Sequence, residues 1–187
     1  MKHTRPRQNV AYTRNPMYVF YALGGFAILI ISLLFSQGSN VGIVEQVLFD
    51  VFNRLPGQLT FISTALMLIG SLGLVLFTGI ISAVRKRFDI CIRIIAASAL
   101  AYFSSSLLSE WIARSRPELL LDQVTTRIQI SGYGFPSVFV AVASAAGLTA
   151  SLYAARANRK WFMYNIVLVS IAGLYLGSSM PLDALSG

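Results

Sequence analysis

The sequence predicts an all-α protein, a polytopic membrane bundle of five transmembrane helices with its N-terminus in the cytoplasm. Three observations predict it. Of 187 residues, 56% are hydrophobic and only 12% charged, and the mean hydropathy is +0.68; soluble domains carry about twice that charged fraction. The apolar residues are bunched into long runs, and the charges cluster between them. Soluble globular, disordered and fibrous classes fail on these numbers.

Met17 to Ser36 is the first span, behind a basic tail over residues 1–16 that holds Lys2, Arg5, Arg7 and Arg14. Its apolar stretch is too long for a signal-peptide core, and no small-residue cleavage site follows. Val41 to Phe52 reads as an amphipathic interfacial helix, because Val44, Val47, Leu48 and Val51 recur at i, i+3, i+4 and i+7 before Pro56-Gly57 ends it. Leu59 to Val84 is the second and longest span, and Ile90 to Trp111 the third. Phe135 to Ala155, rich in small residues that allow close packing in lipid, is the fourth, and Trp161 to Met180 the fifth. Residues 17–187 thus form one transmembrane domain.

Orientation follows from Lys and Arg. The tail, the Arg85-Lys86-Arg87 turn and the Arg156, Arg159, Lys160 turn share one side, against Arg54, Arg114, Arg116 and Arg127 on the other. Positive-inside bias places the first group in the cytoplasm and the loop from Ser115 to Gly134 outside, as in a bacterial inner or plasma membrane. The net charge of +8 is therefore a topology signal, and nucleic acid is excluded as a partner. Cys91 is the only cysteine and His3 the only histidine, so no intrachain disulfide and no thiolate metal site form. Two readings of the outer arginines stay open: surface pairing with Glu118 and Asp122, or an anion site, since Arg forks suit phosphate.

Three segments fall at the outer ends of the last three spans: Arg114-Ser115-Arg116-Pro117-Glu118, Phe135-Pro136-Ser137-Val138, and Tyr175-Leu176-Gly177 running on to Pro181-Leu182-Asp183. In this order and at these ends they resemble the motifs of the type 2 phosphatidic acid phosphatase (PAP2) family, over about Val47 to Gly187. The resemblance implies a six-helix bundle that removes phosphate from lipid or isoprenoid phosphates through a phosphohistidine, without a metal or other cofactor.

The match is partial. Arg116 and Pro117 fit the first motif, while Ser109 stands where its lysine belongs. Pro136 and Ser137 fit the second, with Val138 for its glycine and Phe139 for its histidine. Asp183 fits the third, with Gly173 for its arginine and Ser179 for its histidine. The nucleophile and the general acid are gone, and acid-base assistance alone is typically about 10²–10⁴-fold in rate.

What remains as candidate phosphate-binding groups is Arg114, Arg116, Arg127 and Ser137, with no catalytic residue and no metal ligand among them. A pairing of Arg116 with Asp183 as a structural relic is the stronger reading. The expected function is a non-catalytic subunit that binds lipid phosphate or takes part in assembly, partnered by membrane lipids and by another membrane subunit or a second copy. The alternative is an active phosphatase using non-standard residues, with Glu118, Asp122 and Asp183 assisting through a metal. The resemblance implies a sixth helix beginning at Ala184-Leu185-Ser186-Gly187, so that either the sequence is a fragment of a longer protein, or this helix is dispensable, or a partner supplies it.

Overall fold

The computed structural model describes residues 17–36, 41–121 and 123–187. The basic tail with His3, and Asp122, lie outside the described residues. Among those described there is no strand. Helix α1 covers Met17–Ser36, α2 Ile43–Asn53, α3 Thr60–Leu68, α4 Leu74–Val84, α5 Phe88–Ile112, α6 Pro117–Leu120, α7 Val138–Tyr153, α8 Arg159–Leu176 and α9 Pro181–Ser186. A 3₁₀ turn at Gly57–Leu59 leads into α3, and a π turn at Ile69–Gly73 joins α3 to α4. Gly57–Val84 and Phe88–Leu120 are long and apolar enough to cross a membrane, while Leu23–Ser36 and Val138–Tyr153 are shorter apolar helices.

The bundle is built around α7, which packs along α5 and α8, while α3 lies on α8 and α4 on α5. Small residues make this possible: Ala143 and Ala146 on α7 are fully buried, against Val169 and Ala172 of α8 and Ile94 of α5. A second cluster, Phe49, Leu174 and Met180, seats α2 and α9 on the end of α8. Helix α1 packs on α9.

The outward surface is strongly apolar. Phe61 is 84% exposed, Phe77 64% and Trp111 91%, so the helices turn large hydrophobic groups away from the core. Several helix hydroxyls bond within their own helix: Thr78 donates to Leu74 O at 2.6 Å and Ser98 to Ile94 O at 2.8 Å. Such i−4 bonds need no water, which suits a hydrocarbon environment.

The π turn has a specific partner. It frees the carbonyl of Gly70, which accepts a hydrogen bond from Asn165 Nδ2 of α8 at 2.7 Å. A Cβ at position 70 would collide with Val169 Cγ2 and stand 3.0 Å from Asn165 Oδ1. Glycine therefore lets α8 come close at the point where the ladder is interrupted.

Helix α8 stops at Leu176, inside the apolar run that reaches Met180, because Gly177 takes a left-handed conformation (φ +73°) and caps it. The same region is latched by Asn53, which is 2% exposed. Its Nδ2 donates to Thr125 O (3.1 Å) and Tyr175 O (3.4 Å), and its Oδ1 accepts from Thr125 N (2.9 Å). Asn53→Ala strands these groups, and a loss of about 2 kcal/mol is expected in denaturant unfolding of the detergent-solubilised protein. Arg54→Ala, which removes only the exposed pair with Asp50, is the reference; an equal loss in both would mean the latch holds nothing.

Candidate functional site

Three turns bring the motif segments together. Helix α5 ends at Ala113, whose left-handed conformation (φ 50°) swings the chain across the bundle end. Gly134 N then donates to Arg114 O (3.0 Å), Ser137 N to Asp183 O (2.9 Å) and Arg127 N to Leu176 O (3.0 Å). These backbone bonds join the first segment to the second and the second to the third.

At their junction lies a buried ion triad. Arg114 donates through one terminal nitrogen to Asp183 Oδ1 (2.7 Å) and through the other to Glu45 Oε2 (2.9 Å). The side chains of Arg114, Glu45 and Asp183 are 6%, 7% and 0% exposed. The remaining oxygens are occupied: Asp183 Oδ2 accepts from Met180 N (2.8 Å) and Glu45 Oε1 from Leu182 N (3.3 Å). A Cβ at Gly134 would stand 3.0 Å from Asp183 Oδ2, so the loop passes the carboxylate closely because it carries no side chain there.

One guanidinium faces two carboxylates, all three side chains buried. Burial pushes Asp183 up to about 6, although Arg114 pulls the other way. Burial also works against charge on Arg114, but the hydrogen bonds and attraction of Glu45 and Asp183 outweigh it and raise its pKa. For Arg116 burial prevails over the pull of Glu118 and Asp183, and its pKa is lowered.

Asp183 thus pairs with Arg114, two residues before the expected Arg116. Arg116 instead clips the loop: Nε donates to Gly132 O (2.8 Å) and the terminal nitrogens to Ser178 O (2.9 Å) and Ser131 O (3.0 Å). It is the N-cap of α6 with Pro117 at the first helical position, which turns its side chain toward these carbonyls. Arg127 lies on the α8 side, donating to Tyr175 O (2.6 Å) and Leu55 O (2.7 Å) with its guanidinium 4.2 Å above the Tyr175 ring.

Beside Arg116 opens a cavity of about 380 Å³. It gathers motif positions from all three segments: Ser109, Arg116, Pro136, Ser137, Phe139 and Ser179 line it. Ser106, Ser131 and Ser178 add hydroxyls, and Tyr102, Tyr133 and Glu110 complete the polar wall. Arg116 and Glu110 are the charged residues of the lining. Ser137 Oγ and Ser179 Oγ are 3.2 Å apart. Gly173 backs onto them, since a Cβ there would stand 3.2 Å from Ser179 Oγ. Of the candidate phosphate groups, then, Arg116 and Ser137 reach the cavity, whereas Arg114 and Arg127 are engaged elsewhere.

The acidic residues considered for metal assistance have separate partners. Glu118 accepts from Thr126 Oγ1 at 3.1 Å, and Asp183 is held by Arg114. Among the described residues no three His, Cys, Asp or Glu side chains converge on one point. Two residues outside the three motif segments matter most to the architecture. Glu45 and Asn53 lie on the face of α2 opposite its apolar stripe, where they and Phe49 are buried; polar residues repeating on that face were the available signal.

No family model matches the chain. No curated protein matches it. A solved structure does: the crystal structure of the first transmembrane PAP2 type phosphatidylglycerolphosphate phosphatase from Bacillus subtilis, with a TM-score of 0.71 over 87% of each chain and 18% identity. The fold is PAP2-like. The cavity between Ser109, Arg116, Ser137 and Ser179 thus belongs to a PAP2-like bundle in which the three motif positions meet at one end. In this PAP2-like chain that meeting point is built of serines.

Proposed function

We propose that this chain is an integral membrane protein whose PAP2-like site has lost turnover and serves as a lipid-phosphate-binding or assembly subunit, its motif loops facing the extracytoplasmic side. One observation carries the reading. The cavity where the motif segments meet is lined by Ser109, Phe139 and Ser179, and its single guanidinium, Arg116, is already committed to three backbone carbonyls. The resemblance places a lysine and two histidines at those three positions. A serine pair with no histidine or lysine among the described lining residues lacks the family's nucleophile and its proton donor, and one partly spent arginine clamps phosphate weakly.

The strongly apolar outer surface supports the membrane placement, since exposed patches of this extent are not kept in water. The Lys and Arg distribution supports the orientation. The unspent N–H groups of Arg116 and the hydroxyls of Ser137 and Ser179 support retention of an anionic head group.

The test is phosphate release by the purified protein from phosphatidic acid, phosphatidylglycerol phosphate and undecaprenyl pyrophosphate, with and without divalent metal. No release above Arg116→Ala and Ser179→Ala controls is expected. Release that disappears in either control would overturn the proposal and favour chemistry by the residues present.

A further inference from the structure

The larger cavity is at the other end of α5, about 790 Å³, between α4, α5, α7 and α8. Along α4 its lining runs on one face from Leu74 through Phe77, Ile81 and Ser82 to Arg85, about 16 Å at 1.5 Å per residue. Ile94 and Phe162 close it from the neighbouring helices. It is a trough, apolar along its length and basic at one end.

Two of its polar side chains are tied to backbone carbonyls. Ser82 donates to Thr78 O, and Asn165 Nδ2 donates to Gly70 O, each at 2.7 Å. Arg85 and Arg87 stand at its mouth, both exposed. Neither side chain forms a hydrogen bond or ion pair with another described residue. Trp161, 64% exposed, stands at the rim, as aromatics do at a membrane boundary. Such a site offers mainly apolar contact along its length, from Leu74, Phe77, Ile81, Ile94 and Phe162, and two cations at its mouth.

We propose that this trough binds one anionic phospholipid of the leaflet at the Arg85–Arg87 end, an acyl chain lying along α4 and the phosphate between the two arginines. The volume suits a ligand, and basic pockets between membrane helices hold anionic head groups. The inference shares only the membrane placement with the reading above and is independent of the motif cavity.

Native mass spectrometry of the full chain in detergent tests it, with dioleoyl phosphatidylglycerol and dioleoyl phosphatidylcholine added at equal concentration. One phosphatidylglycerol is expected to stay bound in preference, with each arginine accounting for about fivefold. The Arg85→Ala/Arg87→Ala protein, altered on an exposed turn, should fall to the level of phosphatidylcholine. Arg156→Ala/Lys160→Ala, basic residues near the same end but outside the lining, should keep the preference. Excess glycerol 3-phosphate should leave the lipid in place. Wild-type protein without a preference would overturn the proposal even if the double variant failed to express. So would an equal loss in the Arg156/Lys160 variant, or displacement by glycerol 3-phosphate.

Discussion

Arg114→Ala is expected to cost about 3–5 kcal/mol, the scale for removing one partner from a buried ion pair. The reason is the charge left behind. Glu45 and Asp183, 7% and 0% exposed at their side chains, would face each other without the guanidinium between them. Domains are stable by about 5–15 kcal/mol in total, so the variant sits near the limit of folding. Arg114→Lys should recover little, since an ammonium cannot reach both carboxylates with a planar fork. Removing the charges together is the informative companion: Arg114→Met with Glu45→Gln and Asp183→Asn should be more stable than Arg114→Ala alone. Denaturant unfolding in detergent reads all three. A loss in Arg114→Ala no larger than in Arg54→Ala would mean that the triad does not hold α2 and α9 to the α5 end.

The second large effect is a dependence on pH that runs against ordinary acid denaturation. Asp183 is raised from its ordinary 3.8 to about 6 by burial, with Arg114 opposing and Glu45 adding repulsion. Below about pH 4 the group holds its proton in both folded and unfolded chains. Between about 4 and 6 the folded chain holds a proton that the unfolded chain has released. The stabilisation is therefore complete below pH 4 and lost as pH rises through 6, about 3 kcal/mol at 1.36 kcal/mol per unit. Protonation relieves the burial of a charged carboxylate, which is the physical origin of the preference, and it leaves Arg114 balanced by Glu45. Asp183→Asn should flatten this part of the profile, measured as unfolding midpoint against pH. Parallel profiles for wild type and Asp183→Asn would rule Asp183 out as the titrating group.

The helices were legible because hydrophobic runs mark them directly, and Met17–Ser36 and the run ending at Val84 appear in the structure at those residues. The convergence of the motif segments was legible too, since they fall at the same ends of successive spans. The pairing within the site was not. Motif spacing singles out Arg116, but the left-handed residue at Ala113 and the cap at Arg116 decide which arginine turns inward. Arg114 is separated by 69 residues from each of its partners, and no local pattern announces a contact of that range. The end of α8 was hidden for a related reason: the apolar run before Gly177 continues to Met180 with only Ser178 and Ser179 between, yet Gly177 turns those two serines into lining. Asn165 on α8 likewise reads as an isolated polar residue until the open carbonyl of Gly70 supplies its purpose.

The π turn at Ile69–Gly73 sets the phase between the two halves of its helix. Its extra residue offsets α4 from α3 by about 100° relative to a continuous α-helix, the rotation that one residue makes. Met67, above the turn, belongs to the cluster with Val169 and Tyr175, while Leu74 and Val75, below it, face Ile90 and Ile94. What residues 69–73 specify is thus a count as much as a composition. Substituting a side chain there alters one contact, whereas deleting one residue would turn the whole of α4 about its axis and point a different row of side chains at α5.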